Sequence, residues 1–113
     1  MQEQSTMTLR ELCRTLGVSR RAVQGYESHN LLSPSGKSPM GHLIYDADAQ
    51  RRVQQIHQYQ KYGFHLREIA PLLNAPTEML RKALVEKLVN LEHRQQELDE
   101  IIRELRGDLQ QLT

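Results

Sequence analysis

Leu9, Leu12 and Leu16 recur at three- and four-residue steps, a rhythm that predicts an amphipathic helix near the start of the chain. "TLRE", from Thr8 to Glu11, is a capping box in which Thr8 accepts from a backbone donor and Glu11 reaches back; Gly17 ends the helix. Ser19 caps a second helix with Ala22, Val23 and Tyr26 on its inner face, and Asn30 suits a left-handed exit. Two short helices joined through "LGVS" form a helix-turn-helix signature. From Leu31 to Tyr45 the rhythm breaks: two Pro and two Gly exclude a helix. The apolar pieces Leu31–Leu32 and Leu43–Tyr45 are expected to pair as two small strands, in the manner of a wing.

Helical spacing then returns. Asp46 or Asp48 caps a helix running to Tyr62, with Val53, Ile56 and Tyr59–Gln60 near its inner stripe and Gly63 as its stop. "FHLREIAPLL" is a shorter helix carrying Leu66, Ile69, Leu72 and Leu73, with Pro71 expected to kink it or to leave little more than a turn on each side. Beyond Pro76 runs one long helix. Its apolar positions are Leu84, Leu88, Leu91, Leu98, Ile102, Leu105, Leu109 and Leu112, at steps of 4, 3, 7, 4, 3, 4 and 3, and Gln95 fills the missing place. That is a heptad repeat, expected to form a coiled coil. At about 1.5 Å per residue the helix reaches on the order of 50 Å, too long a stripe for the small N-terminal domain to bury, so a second copy of the chain is the economical partner. The polar Gln95 is expected to fix register or strand orientation. The expected organisation is a disordered tail over residues 1–7, a domain over 8–76 and a dimerisation helix over 77–113.

Charge sharpens this picture. The net charge of +1 conceals nine Lys/Arg against six Asp/Glu in residues 1–76 and six against eight in residues 77–113, so the basic character belongs to the N-terminal domain. A hydrophobic content of 38% is low for a chain that buries every element in one core, which agrees with an exposed or dimer-buried helix. The lone Cys13 permits neither a disulfide framework nor a zinc ribbon within one chain, and is read as a small buried residue. The histidines at 29, 42, 57, 65 and 93 form no i, i+4 pair, so no metal site is expected. There is no secretory pattern and no apolar run near the roughly 20 residues that span a bilayer. A cytoplasmic protein is the expectation. No P-loop, dinucleotide fingerprint or catalytic pair occurs, and neither an enzyme nor a cofactor is expected.

"LRELCRTLGVSRRAVQGYESHNLLSP" and "GHLIYDADAQRRVQQIHQYQKYGFHLREIAPLL" together resemble the MerR family of bacterial transcription regulators, over roughly residues 7–75. The shared features are the Gly-Val-Ser turn, a basic recognition helix, Tyr26-Glu27, Leu-Leu-x-Pro, Gly41, Tyr45, Asp48 and Gly63-Phe64. The resemblance implies a mainly α fold, a winged helix-turn-helix followed by a long helix that pairs as an antiparallel coiled coil. It implies a homodimer on a pseudo-palindromic operator in double-stranded DNA, often one that distorts the promoter for RNA polymerase. With no effector domain after the long helix, a short member is expected, regulated through a protein partner, abundance, redox or ligand binding, or not at all. The chain departs from the family pattern at Gln24, where an Arg is usual, at Gly25, where an aromatic is usual, and at His42-Leu43, where Tyr-Arg is usual.

Arg20 and Arg21 open the second helix, the end that enters the major groove in helix-turn-helix proteins. Arginine can grip guanine O6 and N7 or clamp phosphate, and Gln24, one turn on, can pair with adenine. Two arginines on an arbitrary helix are more often a solvated face; the flanking architecture reverses that here. Tyr26 either bonds phosphate through its hydroxyl or serves as a core ring. Lys37 and His42 belong to the wing and can follow the backbone, with Ser38 an ordinary loop residue. His65 is either a phosphate contact at a helix start or a simple cap-region histidine. The expected seam is Leu84, Leu88, Leu91, Gln95, Leu98, Ile102, Leu105 and Leu109. Two rivals keep the same architecture: a chaperone-modulator-like adaptor that binds protein, and an excisionase-like architectural protein that bends DNA.

Overall fold

A computed structural model describes residues 6–113. Thr8 does two jobs at once. It closes strand β1 (Met7–Thr8) and caps helix α1 (Leu9–Leu16). Its Oγ1 accepts from the Glu11 amide at 3.3 Å, while its own amide donates to Glu11 Oε1 at 2.9 Å. Gly17, at φ 68°, takes the left-handed conformation that stops α1. Ser19 Oγ then accepts from the Ala22 amide at 3.0 Å to start α2 (Arg20–Ser28), and Asn30 turns the chain out at φ 61°. These caps follow the sequence expectation.

Two expectations change. Residues 1–5 of the tail lie outside the described residues, and Met7, expected to belong to that tail, pairs with Tyr45 in the sheet. The strand partner of Leu43–Tyr45 is not Leu31–Leu32. Strand β2 (Gly36–Lys37) and β1 flank the central β3 (Leu43–Tyr45), both antiparallel, with Lys37 opposite Leu43 and Thr8 opposite Ile44. Leu31 and Leu32 instead plug the core from an irregular segment. Their backbone is satisfied another way: the Leu31 amide donates to Tyr26 O at 2.9 Å, and Arg52 Nε donates to Leu31 O at 2.9 Å.

Helix α3 (Ala47–Lys61) is capped by Asp46, the first of the two carboxylates that sequence offered, and presents Val53, Ile56 and Tyr59 inward. Gly63, at φ 103°, turns the chain toward α4 (Leu66–Leu72), which accommodates Pro71 by being short. Phe64 meets Tyr59 edge-on, ring centroids 6.1 Å apart, and Ile69 is fully buried. Leu12, Val23, Tyr26, Tyr45, Val53 and Ile56 complete the centre of this core.

The chain divides into two compact units, the first ending at Asn74 and the second running from Ala75 to Thr113. The second unit is α5 (Thr77–Gln111), 35 residues without one buried side chain. Leu88, Leu91, Leu98, Ile102, Leu105 and Leu109 stand between 44% and 58% exposed.

Candidate nucleic-acid interface

Helix α2 turns by about 100° per residue, which places Gln24 between Arg20 and Arg21 on one face. All three side chains are exposed, while Val23 and Tyr26 on the opposite side are buried. The helix begins with two cations and no acid in its first turn, against its own dipole. Such an arrangement costs a little folding stability, and an anion near the helix start would offset it.

Two tyrosines fix this helix to its neighbours. The Tyr26 hydroxyl donates to Gln60 Oε1 of α3 at 2.7 Å, and the Tyr45 hydroxyl donates from the wing strand to Glu27 Oε2 of α2, also at 2.7 Å. Burial pushes the Tyr26 phenol above its ordinary pKa. Burial, then the bond to Glu27, pushes that of Tyr45 far higher. At 1% exposure, with its hydroxyl donating to Gln60, Tyr26 has the features of the core-ring alternative.

The wing is a hairpin closed over Ser38–Gly41. The Gly41 amide donates to Ser38 O at 2.9 Å, Gly41 sits at φ 85°, and the His42 amide donates to Ser38 Oγ at 3.2 Å. Lys37 and His42 are both exposed on it. Ser38 is a turn-forming residue, as the sequence reading preferred. His42 is brought together with Arg20 around one cavity; His65 is not. His65 caps α4, its amide donating to Glu68 Oε1 at 2.8 Å, and it lines a separate depression with His29 and Arg67. His29 Nδ1 lies 2.9 Å from Gly25 O, which ties that ring to the end of α2. Sequence reasoning passed over Arg10, exposed in the first turn of α1 and lining the same cavity as Arg20 and His42. The available signal was a cation at the start of a helix, where the dipole disfavours it.

Among the described residues no group of three His, Cys, Asp or Glu side chains could hold a metal, and no helix is long and apolar enough to cross a membrane. Cys13 is a free thiol, half-buried rather than buried.

An exposed basic helix face beside a β-hairpin wing defines the class: a winged helix-turn-helix DNA-binding module, here followed by a long helix. The family model described as MerR HTH family regulatory protein matches residues 7–76, and that described as MerR, DNA binding matches residues 50–107. The chain belongs to the MerR family, a family of transcription regulators and not of enzymes, and carries that family's DNA-binding domain. It is 33% identical over 96 residues to the HTH-type transcriptional activator mta of Bacillus subtilis (strain 168), covering 84% of this chain and 37% of that protein. It spans 35% of the length of the nodulation protein NolA of Bradyrhizobium elkanii and 37% of that of mta. Among solved structures, it matches MtaN, the N-terminus of the Bacillus subtilis multidrug transporter activator, at TM-score 0.73 and 29% identity, over 91% of this chain and 97% of the other. HiNmlR, a MerR family regulator lacking the sensor domain and bound to promoter DNA, matches at TM-score 0.66 over 87% of this chain and 79% of the other. At 18% identity that likeness concerns the fold alone.

Proposed function

We propose that the protein is a homodimeric, sequence-specific regulator of transcription working in the cytoplasm. Two copies of α5 pair antiparallel along Leu84, Leu88, Leu91, Gln95, Leu98, Ile102, Leu105 and Leu109, and present two winged domains to a pseudo-palindromic operator. Arg21 and Gln24 read base edges in the major groove; Arg20, Lys37, His42 and His65 hold backbone phosphates that set the register. The observation that carries this reading is the α2 face itself, where Arg20, Arg21 and Gln24 stand exposed over a buried Val23–Tyr26 face. RNA polymerase or a regulatory protein is a further partner of the bound complex.

A salt series on mixed-sequence duplex tests it. Each phosphate neutralised contributes about 0.9 to the slope of log affinity against log salt, so binding falls steeply as salt rises. No measurable affinity at low salt sinks the proposal and points to the protein-binding adaptor, which the absence of a side chain at Gly25 and the half-exposed Leu43 of the wing would suit. Selecting bound duplexes from a genomic pool then reports the operator. A footprint clear of any promoter points instead to the architectural protein.

A further inference from the structure

Where β1 turns into α1, the wing hairpin and the start of α2 enclose a cavity of about 470 Å³. Arg10 reaches it from α1, Arg20 from α2 and His42 from the wing, with Thr8 and Leu43 between them. Among the described residues, none that lines it is acidic. Among the described residues neither Arg10 nor Arg20 has an ion-pair partner, and both are exposed. The nearest acid in sequence is Glu11. It is folded back onto the amide and hydroxyl of Thr8, which hold its carboxyl below the usual carboxylate range, and so it is committed to the helix cap. The wing brings no cation at position 43, where Leu43 stands 37% exposed.

Two arginines in the first turns of two different helices both oppose a helix dipole, and they line one hollow. Repulsion between them and the dipole cost are relieved together by one anion. We propose that Arg10 and Arg20, with His42, form a composite clamp for one phosphodiester of the DNA backbone, and that Arg10 is a positioning contact of the interface. The clamp rests on the reading of α2 as the DNA-facing helix. It locks the wing and the recognition helix to the same phosphate, so it sets where the protein sits along the duplex and says nothing about the bases it reads.

The experiment is an affinity measurement on the full chain across salt concentrations, with operator and mixed-sequence duplexes. Arg10→Ala is expected to weaken both by a similar factor, roughly tenfold for a lost charge-assisted hydrogen bond. It should reduce the salt slope by about 0.9 per protomer engaged. Arg10→Lys keeps most of the affinity and slope, because a point charge still neutralises the phosphate. Thermal stability of Arg10→Ala equals or exceeds the parent's, since a dipole-opposed cation is gone, which separates a binding role from a structural one. Arg21→Ala serves as the contrast, relaxing the preference for operator over mixed sequence. Inorganic phosphate at matched ionic strength should not displace duplex; displacement would reassign the hollow to a free anion. A parent chain that binds duplex while Arg10→Ala matches it in affinity and slope overturns the clamp alone. A parent chain that binds no duplex overturns the α2 reading and the clamp together.

Discussion

Gly25 sits within the recognition helix, where a Cβ would meet nothing within 4 Å and the backbone needs no positive φ. No packing requirement holds the glycine in place, and its cost to the helix is about 1 kcal/mol relative to alanine. Its carbonyl has a role all the same, accepting from Ser28 Oγ at 3.0 Å and from the His29 amide at 3.1 Å, but any residue supplies a carbonyl. Gly25→Ala is therefore expected to raise the melting temperature of the domain by roughly 4–8 °C, as follows from about 1 kcal/mol in a domain of this size. Calorimetry on the two chains decides it; a lower melting temperature would mean that the helix depends on the glycine. At this scale the sequence was most legible where a residue's job is local. Thr8, Ser19, Asn30 and Gly63 each act on backbone within a few positions, and their roles followed from type and spacing. Tyr26 carried two readings because its partner, Gln60, lies 34 residues away, and nothing local says which way a phenol points.

Between elements, the sheet is the least legible part. β1 and β2 are two residues each, too short for an alternating pattern to show, and β3 takes one neighbour from the adjoining hairpin arm and the other from the start of the domain. The same pairing hid Arg10: only when Met7–Thr8 joins Ile44–Tyr45 does the start of α1 arrive beside the wing. Helix phase, by contrast, needs no long-range contact, so Arg20, Arg21 and Gln24 could be placed on one face from sequence alone. The tie from Tyr45 to Glu27 has a measurable signature. A phenol held far above its ordinary pKa in the folded chain ionises more readily once unfolded, where its pKa is about 10. The stability it contributes is thus fully present below that value and declines as pH climbs past it. Tyr45→Phe should be less stable than the parent near neutral pH, by about 1.5–3 kcal/mol for a hydrogen bond to a carboxylate. The gap should narrow as pH is raised above about 10, the range set by the unfolded phenol. Urea titrations at two pH values report it, and a gap independent of pH would show that the bond does not survive in solution.

For the molecule as a whole, α5 sets the requirement. Its 35 residues extend about 52 Å at 1.5 Å each, and its leucine row remains half-exposed in a single chain. Fully burying one leucine is worth about 1.5–3 kcal/mol, so a row of them is a strong drive to associate. Leu98 stands 53% exposed near the middle of the proposed seam. Leu98→Asp places an unpaired charge in each half of the interface, at a cost of about 3–5 kcal/mol per buried charge. The dimer should dissociate at least a hundredfold more readily, and tight operator binding should go with it. Sedimentation across a concentration series checks the first claim, and a parent chain that is monomeric throughout removes the basis of the second. The heptad spacing was readable because its signal accumulates over some thirty residues, whereas a two-residue strand has nothing to accumulate.

The bond between positions 45 and 27 has a consequence for descent. A carboxylate that loses its phenol is left half-desolvated, and a phenol that loses its carboxylate is left buried with an unfilled donor. Each residue alone is worse than neither. Lineages descended from this chain should keep the pair or abandon it in close succession, so the two positions are inherited as one character although seventeen residues separate them.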